Sequence, residues 1–302
     1  MSDILHRFQL ENLHVRGEWL SLSQSWQEIQ NTADYPPAIR QVLGEALVAI
    51  GLLADSLKFE GSLVLQIHGT APVSMLVVQA NSDGTFRGLA NWSGEVSPTA
   101  SFSELFQSVT KNSATMAISV EPSSNQGERY QSLVSLEGDS LADCFTQYFA
   151  QSEQLNTRLW LAVDEKNASG LMLQSLPSEE DEEQKEGWNH ASILADTIKD
   201  EELLRLPAQE LLHRLYHEED MRVYDAKPVR FKCTCSQEKI EHAIHSMGKE
   251  EADSIIKELE NITVDCDFCN TKYVLDTVDV ARIFAEDGDS ISVPGDGKGS
   301  VH

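Results

Sequence analysis

From residue 4 to about 22, apolar and polar positions alternate with lapses through Phe8, Leu10, Leu13, Val15, Trp19 and Leu20, which predicts a strand followed by a turn. Pro36-Pro37 then launches a helix reaching Lys58, because Ile39, Leu43, Leu47, Ile50 and Leu53 recur at helical spacing. This is the longest apolar helix the pattern predicts, and it belongs at the centre of the N-terminal core. Strands follow over 62–69, 73–80 and 85–92, and Asn81-Ser82-Asp83-Gly84 between the last two is a hairpin signal. Residues 116–120 and 129–136 add strands. Ser140 caps a helix to about Gln154, and 157–163 with 170–176 reads as a closing hairpin. Residues 1–176 therefore read as one α+β domain, a mostly antiparallel sheet packed with helices.

The pattern breaks at Pro177. Residues 178–187, SEEDEEQKEG, are nearly all charge and are expected to be solvated and loosely structured. Beyond them Ile193, Leu194 and Ile198 give a short amphipathic helix, and Pro207 begins another with Leu211, Leu212, Leu215 and Tyr216 on one stripe. Neither is long or apolar enough to stand alone, so both are expected to dock, weakly, on the N-terminal domain. Residues 177–222 thus read as an acidic, marginally stable helical linker. A C-terminal module follows over 223–286, with Asp276 as N-cap of a final helix, and the tail 287–302 is expected to be disordered.

Four of the five cysteines fall inside that module: Cys233 and Cys235 in FKCTC, Cys266 and Cys269 in VDCDFCNTKY. The thirty residues between Cys235 and Cys266 allow two short helices that bring the pairs together. Such paired thiols suit a tetrahedral four-thiolate zinc site with Zn–S of roughly 2.3 Å. A disulfide-only module and four unrelated buried thiols are the alternatives, and chance rarely makes two close pairs. The first pair is CxC where a zinc ribbon has CxxC. Its Cα atoms in extended chain stand roughly 6.5–7 Å apart, near the upper edge of disulfide geometry. A bond there would require the backbone to leave the metal-holding conformation, so oxidation and metal binding exclude each other. That suits a switch better than a staple.

Charge narrows the choice of function. The 302 residues carry a net charge of −26, which opposes binding to phosphate backbones and with it the usual nucleic-acid role of zinc ribbons. Five cysteines in so large a chain are unlike a secreted disulfide scaffold. MSDILHRFQL does not read as a signal peptide, and the longest wholly apolar run, 46–54, is too short to span a bilayer. A reducing cytoplasm is the address these features predict.

CTC and CDFC at this separation, HEEDMRVYDAKPVRFKCTCS before the first pair and CNTKYVLDTVDV after the second resemble the 33 kDa chaperonin family, the redox-regulated heat-shock holdases. LLADSLKFEGSLVLQIHGTAPVSMLVV (52–78) and CFTQYFAQSEQLNTRLWLAV (144–163) carry the likeness through the N-terminal domain, so that it spans residue 4 to about 286. The resemblance implies one zinc ion per chain on Cys233, Cys235, Cys266 and Cys269 in a reduced, inactive protein. It implies that peroxide or hypochlorous acid, especially with heat, forms the disulfides Cys233–Cys235 and Cys266–Cys269 and releases zinc. Module and linker then unfold, the protein forms a homodimer, and its 1–176 domain holds unfolding client proteins without ATP. No enzymatic activity, nucleic acid or membrane enters that picture.

The residues agree with such a switch. A module of about 60 residues has little core, so metal must carry much of its stability. Arg230, Lys232 and Lys272 lie close in sequence and are expected to offset the excess charge of four thiolates. If the linker helices rest on the module, losing it undocks them and exposes apolar surface, including the stripes through Ile193 and Leu211. Cys144 reads as a buried structural thiol. His213 and His217, at i and i+4, have metal-gripping spacing but no third ligand, and His242 and His245 sit where thiolates already fill four positions. Met75 and Met172 read as core, and Glu153 and Gln154 as structural polar residues. Two other classes compete. One is a thiol–disulfide oxidoreductase using CDFC, disfavoured because 273–275 reads as a strand where such enzymes need a helix. The other is a zinc-ribbon binding module, disfavoured by charge.

Overall fold

The early alternation produces a hairpin, β1 (Ile4–Leu10) and β2 (Val15–Leu22), joined by a 3₁₀ turn that exits through His14 at φ 52°. The structure, a computed structural model, describes residues 3–56, 60–69, 72–106, 114–122, 129–134, 136, 138–176 and 182–285. A helix the pattern did not predict, α1 (Gln24–Gln30), follows, then α2 (Pro37–Ser56). Next come β3 (Gly61–His68), β4 (Val73–Asn81), β5 (Thr85–Trp92), the short α3 (Phe102–Phe106), β6 (Thr115–Pro122) and β7 (Tyr130–Val134). Ser140 caps α4 (Leu141–Tyr148), its hydroxyl accepting the Asp143 N–H, and the helix widens into one π turn before ending at Gln154, φ 53°. β8 (Thr157–Val163) and β9 (Ala168–Ser175) close the domain as a hairpin.

These strands form two sheets where the sequence reading expected one. β1, β2, β9 and β8 make the first, and β5, β4, β3, β6 and β7 the second, all antiparallel. α2 packs against both, its Ile39, Leu43, Leu47 and Ile50 fully buried. Its length and composition would also suit a membrane span, but most of it is buried inside the protein core. Gly51 is required where the helix passes between the sheets. A Cβ there would come within 2.5 Å of Leu20 on β2 and 2.6 Å of Phe86 on β5.

The segment 182–216 forms α5 (Glu182–Ala195), α6 (Asp200–Arg205) and α7 (Ala208–Tyr216). Residues 182–187, expected to be loosely structured, are the opening turns of α5; 177–181 and the tail 286–302 lie outside the described residues. The expected apolar stripe also needs correction, since Ile193 is 65% exposed. α5 instead turns Ala191 and Ala195 inward, small residues that let it lie close to the sheet. Leu211, Leu212, Leu215 and Tyr216 of α7 are buried as their spacing predicts. With Phe8, Leu10, Val15, Trp19, Leu171 and Leu173 they form a second hydrophobic core on the face of the first sheet. Tyr216 donates from its hydroxyl to the Ala191 carbonyl at 3.1 Å, and Arg158 grips Asp196 with both nitrogens at 2.9 and 2.7 Å. The linker helices thus rest on a sheet of the N-terminal domain, where docking was expected, and not on the cysteine module.

The chain divides into two compact units, 1–233 and 234–302. Residues 221–231 run with the first, because β10 (Met221–Val223) and β11 (Lys227–Pro228) pair with β1, and β12 (Arg230–Phe231) runs parallel to β5. The second unit holds α8 (Gln237–Met247), α9 (Lys249–Leu259), the hairpin β13 (Ile262–Asp265) with β14 (Lys272–Leu275), and α10 (Thr277–Ala285). Asp276 caps α10 as predicted, accepting the Val278 and Asp279 N–H groups at 2.8 and 2.9 Å. The core of this unit is small: Ile244, Ala252, Ile262, Leu275, Val280 and Ile283.

Candidate metal centre

The chain reaches Cys233 directly after Lys232, whose N–H donates to the Phe86 carbonyl at 3.0 Å. Cys235 then precedes Ser236, which caps α8 by accepting the Lys239 N–H, while the Lys239 ammonium donates to the Thr234 carbonyl at 2.7 Å. The second pair sits in the turn between β13 and β14. There the Cys269 and Asn270 N–H groups donate to the Cys266 carbonyl at 3.2 and 2.7 Å, and the Cys266 N–H donates to the Thr271 carbonyl. Asn270 takes φ 59°, a conformation asparagine tolerates, and so returns the chain into β14.

The sulfurs of Cys233, Cys235, Cys266 and Cys269 all lie within 4.8 Å of one another, with Cys235 and Cys269 at 3.5 Å. Four sulfurs at about 2.3 Å from a tetrahedral zinc would stand about 3.8 Å apart, so the spacing and the soft, all-thiol donor set fit that ion. No disulfide joins any of the five cysteines, and the four clustered ones are half-buried, within reach of a small oxidant.

Two hydroxyls attend the cluster that spacing alone did not mark. The Tyr273 hydroxyl donates to Cys235 Sγ at 3.1 Å, and Thr271 Oγ1 lies 3.2 Å from Cys269 Sγ. The bond to Cys235, then burial and the charges of Cys235, Cys269 and Cys266, push the Tyr273 phenol up to about 12, so it stays a donor. Strand alternation on β14 was the available signal. It turns Tyr273 and Leu275 to the side opposite Lys272 and Val274.

Each of the three expected cations has a carboxylate neighbour. Lys272 lies 3.6 Å from Asp265, and Arg230 and Lys232 stand beside Asp83 on the β4–β5 turn. They help hold that carboxyl below its usual range, after the Thr85 hydroxyl, which does most. Cys144 is fully buried on α4, and burial pushes its thiol up to about 11, as suits a structural residue. The His213 and His217 rings stack on each other at 5.6 Å, and His245 stacks on Phe284 at 5.3 Å. Met172 is buried and Met75 half-buried, and Glu153 accepts from the Tyr148 hydroxyl.

Comparison with known proteins gives one consistent answer. The family model of the Hsp33 protein matches residues 3–276. The 33 kDa chaperonin of Shewanella oneidensis is 44% identical over 283 residues, covering 94% of this chain and 96% of that protein. The 33 kDa chaperonin of Nitrosococcus oceani is 44% identical over 285 residues, 94% and 95% of the two chains. The crystal structure of the 33 kDa chaperonin of Thermotoga maritima, a heat shock protein 33 homolog, superposes with a TM-score of 0.80 at 21% identity. It covers 96% of this chain and 100% of that one, a likeness of fold.

Proposed function

The chain belongs to the Hsp33 family of heat-shock chaperones, and from that premise we propose that it is a redox-regulated, ATP-independent holdase that binds unfolding proteins under oxidative stress. The observation that carries this reading is the convergence of two cysteine pairs within 4.8 Å in a region whose own core has six buried residues among those described. Cys233, Cys235, Cys266 and Cys269 would ligate one zinc ion per chain. Zinc, when bound, would keep the sulfurs as thiolates and supply the stability the small core lacks.

The cysteines then act as the sensor. One thiolate of a pair attacks a peroxide oxygen, the O–O bond breaks, hydroxide leaves and a sulfenic acid forms. Its neighbour displaces a second hydroxide from that sulfur and closes the disulfide, two electrons having passed to the peroxide. The pairs are Cys233–Cys235 and Cys266–Cys269. Disulfide sulfurs carry no charge with which to hold a cation, so the 223–286 module loses its brace. The strands β10–β12 run from Met221 to Phe231, immediately before Cys233, and loosening there passes to the linker of residues 177–222. When α5–α7 lift, the first sheet exposes Phe8, Leu10, Trp19, Leu171 and Leu173 to clients, within a 1–176 domain that also dimerises. The net charge of −26 keeps the opened, cytoplasmic protein soluble.

An oxidoreductase reading is weaker, because the CDFC turn leads into β14 and opens no helix that would lower a thiol pKa. The relatives are named chaperonins, not enzymes. The deciding experiment measures zinc content and suppression of client aggregation, without ATP, before and after peroxide. Zinc should leave as suppression appears. Equal suppression by reduced, zinc-loaded protein would refute the switch.

A further inference from the structure

We propose that Tyr273 is a positioning residue of the sulfur cluster, whose hydroxyl sets how fast an oxidant takes Cys235 and thereby how much oxidant the switch requires. The inference rests on the metal-switch reading and deepens it. Tyr273 lies on β14 opposite Val264, on the hairpin that carries Cys266 and Cys269, yet its hydroxyl crosses to a sulfur of the other pair at 3.1 Å. The hairpin is tied by four registered residue pairs, so the hydroxyl is presented from a fixed strand. Cys235 is also the sulfur found 3.5 Å from Cys269, which has its own hydroxyl neighbour, Thr271. Both members of this close contact therefore have a hydroxyl beside them.

A hydroxyl bonded to a thiolate draws charge from the lone pair that an electrophilic oxidant must engage. In the balanced step, that lone pair of Cys235 forms the S–O bond as the O–O bond of peroxide breaks and hydroxide departs. Cys233 then expels the second hydroxide to form S–S. The Tyr273 bond must weaken before the first of these events. A hydrogen bond to a charged acceptor lowers its proton affinity by about ten- to a hundredfold. Thiolate nucleophilicity follows basicity with a logarithmic slope of about 0.4–0.5, so removing the bond should speed attack about three- to tenfold.

The test compares full-length, reduced, zinc-loaded parent protein with Tyr273→Phe. Zinc release under peroxide is followed with a metal-sensitive dye, and oxidation at Cys235 by alkylation and mass spectrometry. The expected result is unchanged zinc content, unchanged stripping by a chelator, and about three- to tenfold faster loss of the Cys235 thiolate to peroxide. A structural role alone would not separate the chelator rate from the peroxide rate. Equal peroxide rates would overturn the proposal, as would a variant unable to load zinc, for the hydroxyl would then build the cluster and not tune it. If the parent itself holds no zinc, the metal-switch reading fails. The alkylation rates of Cys235 in the two reduced chains would still decide the Tyr273 claim, equal rates overturning it and a faster variant upholding it.

Discussion

The hydroxyl of Ser25 accepts the backbone N–H of Phe231 at 2.6 Å and in turn donates to the carboxylate of Asp3. Asp3 also receives the Ser23 and Ser25 N–H groups at 2.5 and 2.7 Å, and its carbonyl receives the Val229 N–H. The start of the chain, the first turn of α1 and the strand leading to Cys233 are thereby clipped together by one buried hydroxyl.

Ser25→Ala should loosen that clip. Ser25 is 1% exposed, so its removal leaves buried partners unsatisfied at a cost of about 1–3 kcal/mol. Hydrogen exchange at Phe231 and Lys232 should accelerate about 5- to 160-fold while β3 and β4 remain protected. Unchanged exchange at those two amides would show that the strand is held by β5 alone.

Glu18 makes the first unit sensitive to pH. It is 3% exposed on β2, opposite Arg7, and Asp55 at the end of α2 binds both Arg7, at 3.3 Å, and Lys227 of β11. Burial first, then the Asp55 charge, pushes Glu18 up to about 8 against the pull of Arg16, Arg7 and Lys227. A carboxyl whose folded pKa is raised contributes its stability below the unfolded value near 4.5 and loses it as pH rises towards 8. Glu45, pushed up to about 7 by burial, acts in the same direction. All five tryptophans lie in the first unit, so their fluorescence in urea reports this unit alone. Parent protein should lose stability between pH 5 and 8, and Glu18→Gln should lose distinctly less. Parallel curves would mean that Glu18 is already ionised in the fold.

What could be read from the chain follows from what is local. α2 was legible because its apolar residues repeat at helical spacing behind two prolines, and the cysteine cluster because each pair lies within four residues. The partition into two sheets was not, since β2 finds β9 only through a register such as Trp19 with Leu171, set by tertiary packing. α1 escaped notice because its cap comes from Asp3, distant in sequence. Ile193 misled for a similar reason. Hydrophobicity favoured it, but the close approach of α5 to the sheet selected Ala191 and Ala195. Alternation on β14 marks the side that Tyr273 faces, but the sulfur it meets depends on closure of a whole module.

Chelation under reducing conditions should melt the second unit and spare the first. The six buried residues among those described supply little hydrophobic stabilisation to α8, α9, α10 and one hairpin, whereas structural zinc contributes on the order of 10–16 kcal/mol in finger peptides. Loss of exchange protection across residues 237–285, with β3 and β4 still protected, is the expected result. A chelated protein that kept α8–α10 protected would show that packing alone holds the module.

The second core offers a way to test the mechanism without touching a cysteine. Leu212 is fully buried among the residues that hold α5–α7 on the first sheet, and Leu212→Ala should cost about 2–5 kcal/mol there. That loss falls on the closed state of the linker, because the four sulfurs and their turn are untouched. Reduced, zinc-loaded Leu212→Ala should therefore bind more apolar dye than the parent and suppress client aggregation in part before any oxidant is added. Zinc content should stay at the parent's level, which distinguishes the effect from damage to the metal centre. A variant that is measurably destabilised, keeps its zinc and stays inactive until oxidised would place the client surface somewhere other than beneath these helices. It would leave the sulfur sensor intact while removing the exposed sheet face from the mechanism.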